Sequence, residues 1–304
     1  MLQTYDERNA DIVYWVNGVL RHRDEPGISP FDAVVQGGDA VWEGLRLYQG
    51  AIFGLTAHLA RLRRSATALN FAAVPDDATI TAAITETLRA NRMVDGVHIR
   101  LTLTRGVKVT SGMDPRLNRA GPTLIVLAEH KAPVYDTTGL RLVTAGVRRP
   151  GPDVLDPKIH HANLLNSILA KIEATAAGAD DALMLDGRGF VAETNATHLF
   201  AVVGATLVTP TTAACPEGIT RQTVLELAAT AGIPAAVRDV SLAEMYAADE
   251  VFCTGTMGEI AGVTMIDGRP IGAGRPGALT ARIARLYQEH ARAHGTRVVG
   301  PDGR

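Results

Sequence analysis

The sequence predicts a mixed α/β protein of the α+β type built from two domains, and three observations carry that prediction. The chain has 304 residues, more than one ordinary core needs and enough for two domains of about 100 to 200 residues each. Apolar runs are broken by Asn-Gly, Gln-Gly and Asp-Gly pairs, which favour tight hairpins. Helical spacing appears between these hairpins, without the regular strand–helix–strand alternation that builds a Rossmann or TIM architecture.

In chain order, "IVYWVNGVL" (Ile12 to Leu20) and "LRLYQGAIF" (Leu45 to Phe53) read as antiparallel hairpins around Asn17-Gly18 and Gln49-Gly50. From Thr56, read as an N-cap, Leu59, Leu62, Ala66 and Leu69 recur at spacings of three and four and define one apolar helix face. A second helix covers Ala78 to Arg92. "VHIRLTLTRG" (Val97 to Gly106) alternates as a strand, with Ile99, Leu101 and Leu103 on one face and His98, Arg100, Thr102 and Thr104 on the other. "TLIVLAEH" (Thr123 to His130) reads as a buried strand, and "KAPVYDTTG" after it gathers turn residues into a boundary. The domains are therefore expected at 1–130 (small, α/β) and 140–304 (larger), joined by a linker at 131–139.

The second half reads as a strand over Leu140 to Val147, a helix over Ala162 to Ala177, a hairpin at Asp186-Gly187, strands over His198 to Val203 and Ala205 to Val208, and a helix over Ile219 to Ala231. Strands over Ala235 to Val240 and Glu250 to Cys253, a hairpin at Asp267-Gly268 and a last helix from about Leu279 complete it.

A formal charge of −2 with 46 % hydrophobic residues gives no general attraction to nucleic acid or anionic lipid, so any anion must be held locally. Neither partner class is expected. Cys215 and Cys253 lie far apart without metal-type spacing, so no disulfide framework or metal site is expected. The opening stretch has early acids and no apolar run of signal length, which makes the cytoplasm the expected location.

Four lysines stand against 26 arginines, and one of them, Lys158, occupies a turn ahead of an amphipathic helix in "VLDPKIHHANLLNSILAKIEA". A lysine where an arginine would solubilise equally well points to an amine able to lose its proton. Two segments have openings suited to a phosphate. "PEGITRQTV" places Gly218, Ile219 and Thr220 at a helix start, and "CTGTMGEI" leaves a strand through a Gly-Thr turn bearing the hydroxyl of Thr256. "GAGRPG" (Gly272 to Gly277) imitates a dinucleotide fingerprint, but fewer than thirty residues follow it, so it reads as a turn. His290 and His294 share a helix face without a third ligand and read as solvated.

Taken in order, "AHLARLRRSA", "DPKIHHANLLNSILAK", "FVAETNATHLF", "PEGITRQTV" and "ADEVFCTGTMGEI" resemble the class IV aminotransferases, the fold type IV pyridoxal phosphate enzymes, along nearly the whole chain. The resemblance implies a larger C-terminal domain of pseudo-barrel form, pyridoxal 5'-phosphate as cofactor, amino acid and 2-keto acid substrates such as 2-oxoglutarate or pyruvate, and a homodimer. It makes Lys158 the lysine that bonds the cofactor aldehyde, buried so that its amine loses proton affinity, and Lys171 the solvated one. Glu193 matches the acid that pairs with the pyridine nitrogen, which keeps the ring an electron sink. Arg61 matches the phosphate arginine, joined by Gly218, Ile219, Thr220 and Thr256.

Departures from the branched-chain pattern bear on the rest. Asn163, a candidate for the ring-oxygen contact beside His160 and His161, is followed by Leu164 where branched-chain enzymes carry tyrosine. His98 replaces another tyrosine, Leu101 a proline, and Gly37 a further tyrosine, while Arg100 remains. Trp42, Arg46, His98, Arg100, Arg105 and Met257 fall where the family lines its substrate pocket. The arginine-histidine pair of the bacillus D-amino-acid enzymes is missing too, but "HIRLTLTRG" through "VTSGM" with "KIHHANLLNSILAKIEA" resembles a separate subgroup, some of whose members act on D-amino acids. A D-amino-acid transaminase is therefore the expectation, with an L-branched-chain aminotransferase or an aminodeoxychorismate-type lyase as alternatives. The polar segment Gly106 to Asn118 is expected to be a loop that reaches toward a partner subunit.

Overall fold

A computed structural model describes residues 5–132, 135 and 138–303. The chain forms two compact units, each with its own sheet and core.

The first unit comprises residues 4–132, 159–163 and 291–304. It contains β1 (Val13–Val16), β2 (Val19–His22), α1 (Ala33–Gly37), β3 (Ala40–Tyr48), β4 (Ala51–Phe53), α2 (Leu55–Ala68), α3 (Asp77–Ala90), β5 (Val97–Thr104) and β6 (Thr123–His130). Both early hairpins form around the expected pairs, with Asn17 and Gln49 at φ 45° and 47° ahead of Gly18 and Gly50 at 89° and 81°. These two consecutive positive values are what a two-residue hairpin turn requires. The helix expected to begin at Thr56 instead begins at Leu55, capped by Gly54 in a left-handed conformation, so Thr56 lies within its first turn. Its buried stripe includes Leu59, Leu62 and Ala66, which pack with Ile80, Ile84 and Leu88 of α3 against the inward residues of β3, β5 and β6.

The second unit contains β7 (Leu140–Thr144), α4 (Leu165–Ala176), β8 (Asp181–Leu185), β9 (Val191–Thr194), β10 (His198–Val203), β11 (Thr206–Thr209), α5 (Ile219–Thr230), β12 (Ala235–Val237), α6 (Leu242–Ala247), β13 (Glu250–Gly255), β14 (Glu259–Ile266), β15 (Arg269–Pro270) and most of α7 (Ala278–Ala293). The chain closes with β16 (Gly295–Arg297), which adds antiparallel to β4 in the first unit. The first sheet is wholly antiparallel, in the order β16-β4-β3-β5-β6-β1-β2. The second has nine strands in the order β12-β11-β10-β13-β14-β7-β8-β9, with β15 on β14. Only β11–β12, β14–β7 and β7–β8 pair in parallel.

The units differ from a single division at 131–139 in two places. Residues 159–163 belong to the first unit because Trp42 and Ala162 donate backbone hydrogen bonds to His160 and Ala40, and the C-terminal residues belong there through β16. Of the expected linker, residues 133, 134, 136 and 137 lie outside the described residues. The helix expected from Ala162 starts at Leu165 without a side-chain cap. The short helix α6 and the strands β14 and β16 went unread. The first has a complete Ser241–Glu244 capping box, a signal present in the sequence.

Candidate functional site

In the second unit the lysine turn is held by its own aspartate, since Asp156 Oδ1 accepts from the backbone N–H of Lys158 at 2.9 Å. Lys158 is exposed, which corrects the expectation of a buried amine. It sits at the surface of its unit, and its Nζ donates to the carbonyl and the hydroxyl of Thr212, the latter at 2.7 Å. No carboxylate pairs with this amine in the described residues, whereas the Lys171 Nζ, expected in solvent, is half-buried on Asp181 Oδ1 at 2.7 Å and on the carbonyl of Asp180.

Glu193 is buried on β9. Its Oε1 receives Arg149 Nη2 at 2.7 Å, and its Oε2 lies 3.9 Å from His198 Nε2. That ring nitrogen lies 2.8 Å from the carbonyl of Pro216, an acceptor only, so Nε2 carries the proton and a neutral His198 suffices. Cys215 is buried beside Glu193, and burial followed by the Glu193 charge raises its thiol well above the ordinary range. One ligand-type atom each of Glu193, His198 and Cys215 lies within 4.8 Å of the others. With an arginine on the carboxylate and a protonated thiol, the grouping is a poor cation site.

Gly218 caps α5 without a side-chain hydrogen bond, and the first N–H groups of the helix have no partner four residues back. A Cβ at Gly218 would lie 2.5 Å from His198 Cε1, so the packing of that ring admits only glycine. His198 and Thr254 are direct partners across β10 and β13. The Thr254 hydroxyl is buried with no hydrogen-bond partner among the described residues. Thr256 and Met257 occupy the turn that joins β13 to β14.

In the first unit, β3 and β5 align Gly44 with Arg100 and Arg46 with His98. Alternation then brings Trp42, Arg46, His98 and Arg100 to one face. Arg100 lies flat on Trp42, 3.5 Å from the ring centroid. Trp42 is fixed by stacking on His160 at 4.4 Å and by donating Nε1–H to the carbonyl of His161 at 3.0 Å. No carboxylate pairs with Arg100 among the described residues, and burial lowers its affinity for a proton to a pKa of about 10. His98 is pushed down to about 3 by burial and then by Lys131, Arg100 and Arg46, so it is neutral at physiological pH. Arg46 is buried, with its guanidinium 5.7 Å from the Tyr48 ring.

Two of the expected site arginines are bonded within the first unit. Arg105 gives Nε and Nη2 to Asp39 at 2.6 and 3.2 Å, donates to the carbonyls of Leu69 and Asn70, and stacks on Phe71. Its Nε, Nη1 and Nη2 are each hydrogen-bonded within its own unit. Arg61 gives Nε and Nη2 to the buried Glu43 at 2.9 and 2.6 Å. Asn163 is exposed beside Gly38, and a side chain at Gly37 would meet nothing within 4 Å. The segment from Gly106 to Asn118 is a turn-rich loop with Lys108 Nζ on the carbonyl of Gly112 at 2.5 Å and Met113 fully exposed.

Arg149 on Glu193, Thr212 on Lys158, His198 against Gly218 and Thr254 opposite His198 are neighbours of the candidate residues that the sequence reading does not name. His198 lies inside "NATHLF", but nothing in that spacing distinguishes it from a strand residue. Arg149 stands nine positions before Lys158, an interval that only the fold closes.

The family model for amino-transferase class IV matches residues 40–266. The branched-chain-amino-acid aminotransferase-like protein 2 of Arabidopsis thaliana is 54 % identical over 92 % of the chain, which spans 50 % of that relative's length. The putative branched-chain-amino-acid aminotransferase of Methanocaldococcus jannaschii is 37 % identical over 93 % of the chain and 98 % of its own. A D-alanine aminotransferase of Bacillus licheniformis is 31 % identical over 90 % and 94 %. Among solved structures, a T.th. branched-chain amino acid aminotransferase complexed with N-(5'-phosphopyridoxyl)-L-glutamate superposes with a TM-score of 0.86 at 34 % identity, covering 93 % of this chain and 95 % of that one.

Proposed function

We propose, from the premise that this chain belongs to the class IV amino-transferase family and has its fold, that it moves an amino group between an L-branched-chain amino acid and a 2-keto acid with pyridoxal 5'-phosphate as cofactor. The observation that carries the reading is the pairing, in one unit, of a lysine amine held only by neutral oxygens with a buried carboxylate. The residues fit the group in three respects. An amine without a counter-ion among the described residues would be available to an aldehyde, the buried Thr254 hydroxyl has no partner among them, and the start of α5 carries no side-chain cap at Gly218.

Pyridoxal phosphate, when bound, supplies an aldehyde that captures amines and a ring that accepts the electron pair released at the substrate Cα. In this assignment Lys158 Nζ would be the amine that holds the cofactor aldehyde, and the same amine would serve as the base that moves the proton at the substrate Cα. Glu193 would be the acid that pairs with the ring nitrogen and keeps it protonated. The backbone N–H groups of Ile219 and Thr220, with the hydroxyls of Thr220 and Thr256, receive the phosphate. Arg100, a half-buried cation of the first unit without a carboxylate partner among the described residues, is the proposed anchor for a substrate carboxylate.

The hand and class of substrate follow the relatives. The expectation of a D-amino acid rested on the likeness of two segments to a subgroup with members that act on D-amino acids, but the relatives of 54 % and 37 % identity carry branched-chain names and the D-alanine enzyme stands at 31 %. The test is a half-reaction panel of paired L- and D-amino acids, read as conversion to the pyridoxamine form. L-leucine, L-isoleucine and L-valine should convert fastest. Faster conversion of D-amino acids overturns the substrate class, and no conversion with any amino acid favours the lyase. Arg100→Met should raise KM for the carboxylate substrates roughly tenfold to 100-fold, as loss of a charged hydrogen bond does.

The partner proposed is a second copy of the chain. The helix α4 exposes Leu165, Ile168, Leu169 and Ile172 at half or more of their surface, an apolar stripe at helical spacing larger than an isolated surface residue explains. Ile168→Glu should shift the protein from dimer to monomer in light scattering at micromolar concentration, and an unchanged mass sinks this interface. No helix of the described residues is long and apolar enough to cross a membrane.

A further inference from the structure

The Glu193 carboxylate does not stand alone. Arg149 Nη2 holds its Oε1 at 2.7 Å, and both side chains are largely buried. The same guanidinium reaches the first turn of α4 at Ser167 Oγ, 3.2 Å, with Asn166 Oδ1 and the carbonyl of Ala214 at the edge of hydrogen-bond range. Ala214 ends the one-turn helix Thr212–Ala214, whose first residue receives the Lys158 amine. Acid and amine are thus fastened to opposite ends of one short turn, the acid through Arg149.

We propose that Arg149 is a positioning residue that keeps Glu193 ionised, with Oε1 occupied and Oε2 presented to the ring nitrogen of the cofactor; this rests on the cofactor reading above. Two physical effects act together. A charge-assisted hydrogen bond to one oxygen fixes the plane of the carboxylate, which a lone glutamate in a strand would leave free to rotate about its last torsion. The cation also lowers the proton affinity of the carboxylate, so the proton shared across Oε2 stays on the ring nitrogen. His198 cannot substitute, because its Nε2 proton is directed to the Pro216 carbonyl and lies 3.9 Å from Oε2. Lysine at 149 would restore the charge but not the forked reach to Ser167 and Ala214.

The experiment compares wild type, Arg149→Gln, Arg149→Lys, Glu193→Gln and the Arg149→Gln/Glu193→Gln double variant, each loaded by titration with pyridoxal 5'-phosphate. The readouts are the dissociation constant, the pH midpoint of the visible absorption band and the half-reaction rate. Arg149→Gln should retain a borohydride-reducible adduct on Lys158, bind the cofactor roughly tenfold more weakly and shift the band's pH midpoint. Arg149→Lys should recover part of the loss, and the double variant should be little worse than Glu193→Gln. Unchanged affinity and midpoint in Arg149→Gln, or strictly additive losses in the double variant, overturn the proposal. An Arg149→Gln chain that does not fold leaves the decision to Arg149→Lys, where wild-type values for both readouts overturn it. Absence of any adduct in the wild type overturns the cofactor reading instead, so the two failures are distinguishable.

Discussion

Lys158→Ala abolishes the borohydride-reducible link to pyridoxal 5'-phosphate and lowers turnover roughly 10⁴-fold or more, because no other group replaces a missing covalent amine. Two of the other three lysines are badly placed for the task. Lys171 Nζ is ion-paired with the buried Asp181, and Lys108 Nζ is bonded to the Gly112 carbonyl within its own loop. Neither has the combination at Lys158, an exposed turn amine whose partners are a hydroxyl and a carbonyl. Truncation there removes no buried apolar surface and no ion pair, so thermal stability without cofactor should stay near wild type, which separates lost chemistry from lost fold. Lys158→Arg should be as inactive as the alanine variant, since a guanidinium does not deprotonate. Peptide mapping of the reduced protein decides the matter: label on any other lysine removes the assignment on which the proposed function depends.

What was legible in the sequence was local. The hairpins at Asn17-Gly18 and Gln49-Gly50 form where positive φ is needed, the strand Thr123–His130 has the bounds its apolar run predicts, and the helix at Ile219 starts beside its glycine. The Lys158 turn and the strand that carries Glu193 can be read because their motifs are contiguous. What escaped depends on contacts between distant segments. The return of residues 159–163 and of β16 to the first unit is made by pairing with β3 and β4, which no periodicity encodes. The same holds for Arg105, whose charge reads as a substrate anchor until Asp39 and the carbonyls of Leu69 and Asn70 are seen to take its donors. Lys171 is the converse case, a residue whose helical position reads as solvated but which Asp181 draws inward. Charge in a sequence announces a need for a counter-charge or for water, and only the fold says which is met.

Glu43 carries the second large effect. It is fully buried on β3 and receives Arg61 through two nitrogens, His58 Nδ1 at 2.6 Å and, more distantly, His160 Nδ1 at 3.5 Å. The His160 ring also donates to the Trp42 carbonyl at 2.6 Å, which ties the network to the Trp42–Arg100 stack. Glu43→Ala leaves the buried Arg61 without that counter-charge, a change that typically costs about 3–5 kcal/mol and should lower Tm by roughly 10 °C or more. Burial alone would raise the Glu43 carboxyl, but the hydrogen bonds from Arg61, His160 and His58 outweigh it and hold the group well below the ordinary range. With a folded pKa below the unfolded value of about 4.3, its contribution is complete above that value and is lost as pH falls toward the folded pKa. Thermal unfolding at pH 7 should therefore show a wide gap between wild type and Glu43→Gln, and the gap should narrow below about pH 4. A gap that is constant with pH would mean that the variant acts through packing and that the carboxylate charge contributes nothing. Because the network also fixes Trp42, the glutamine variant should weaken the carboxylate binding proposed for Arg100 even where the fold survives, which KM at pH 7 measures independently of Tm.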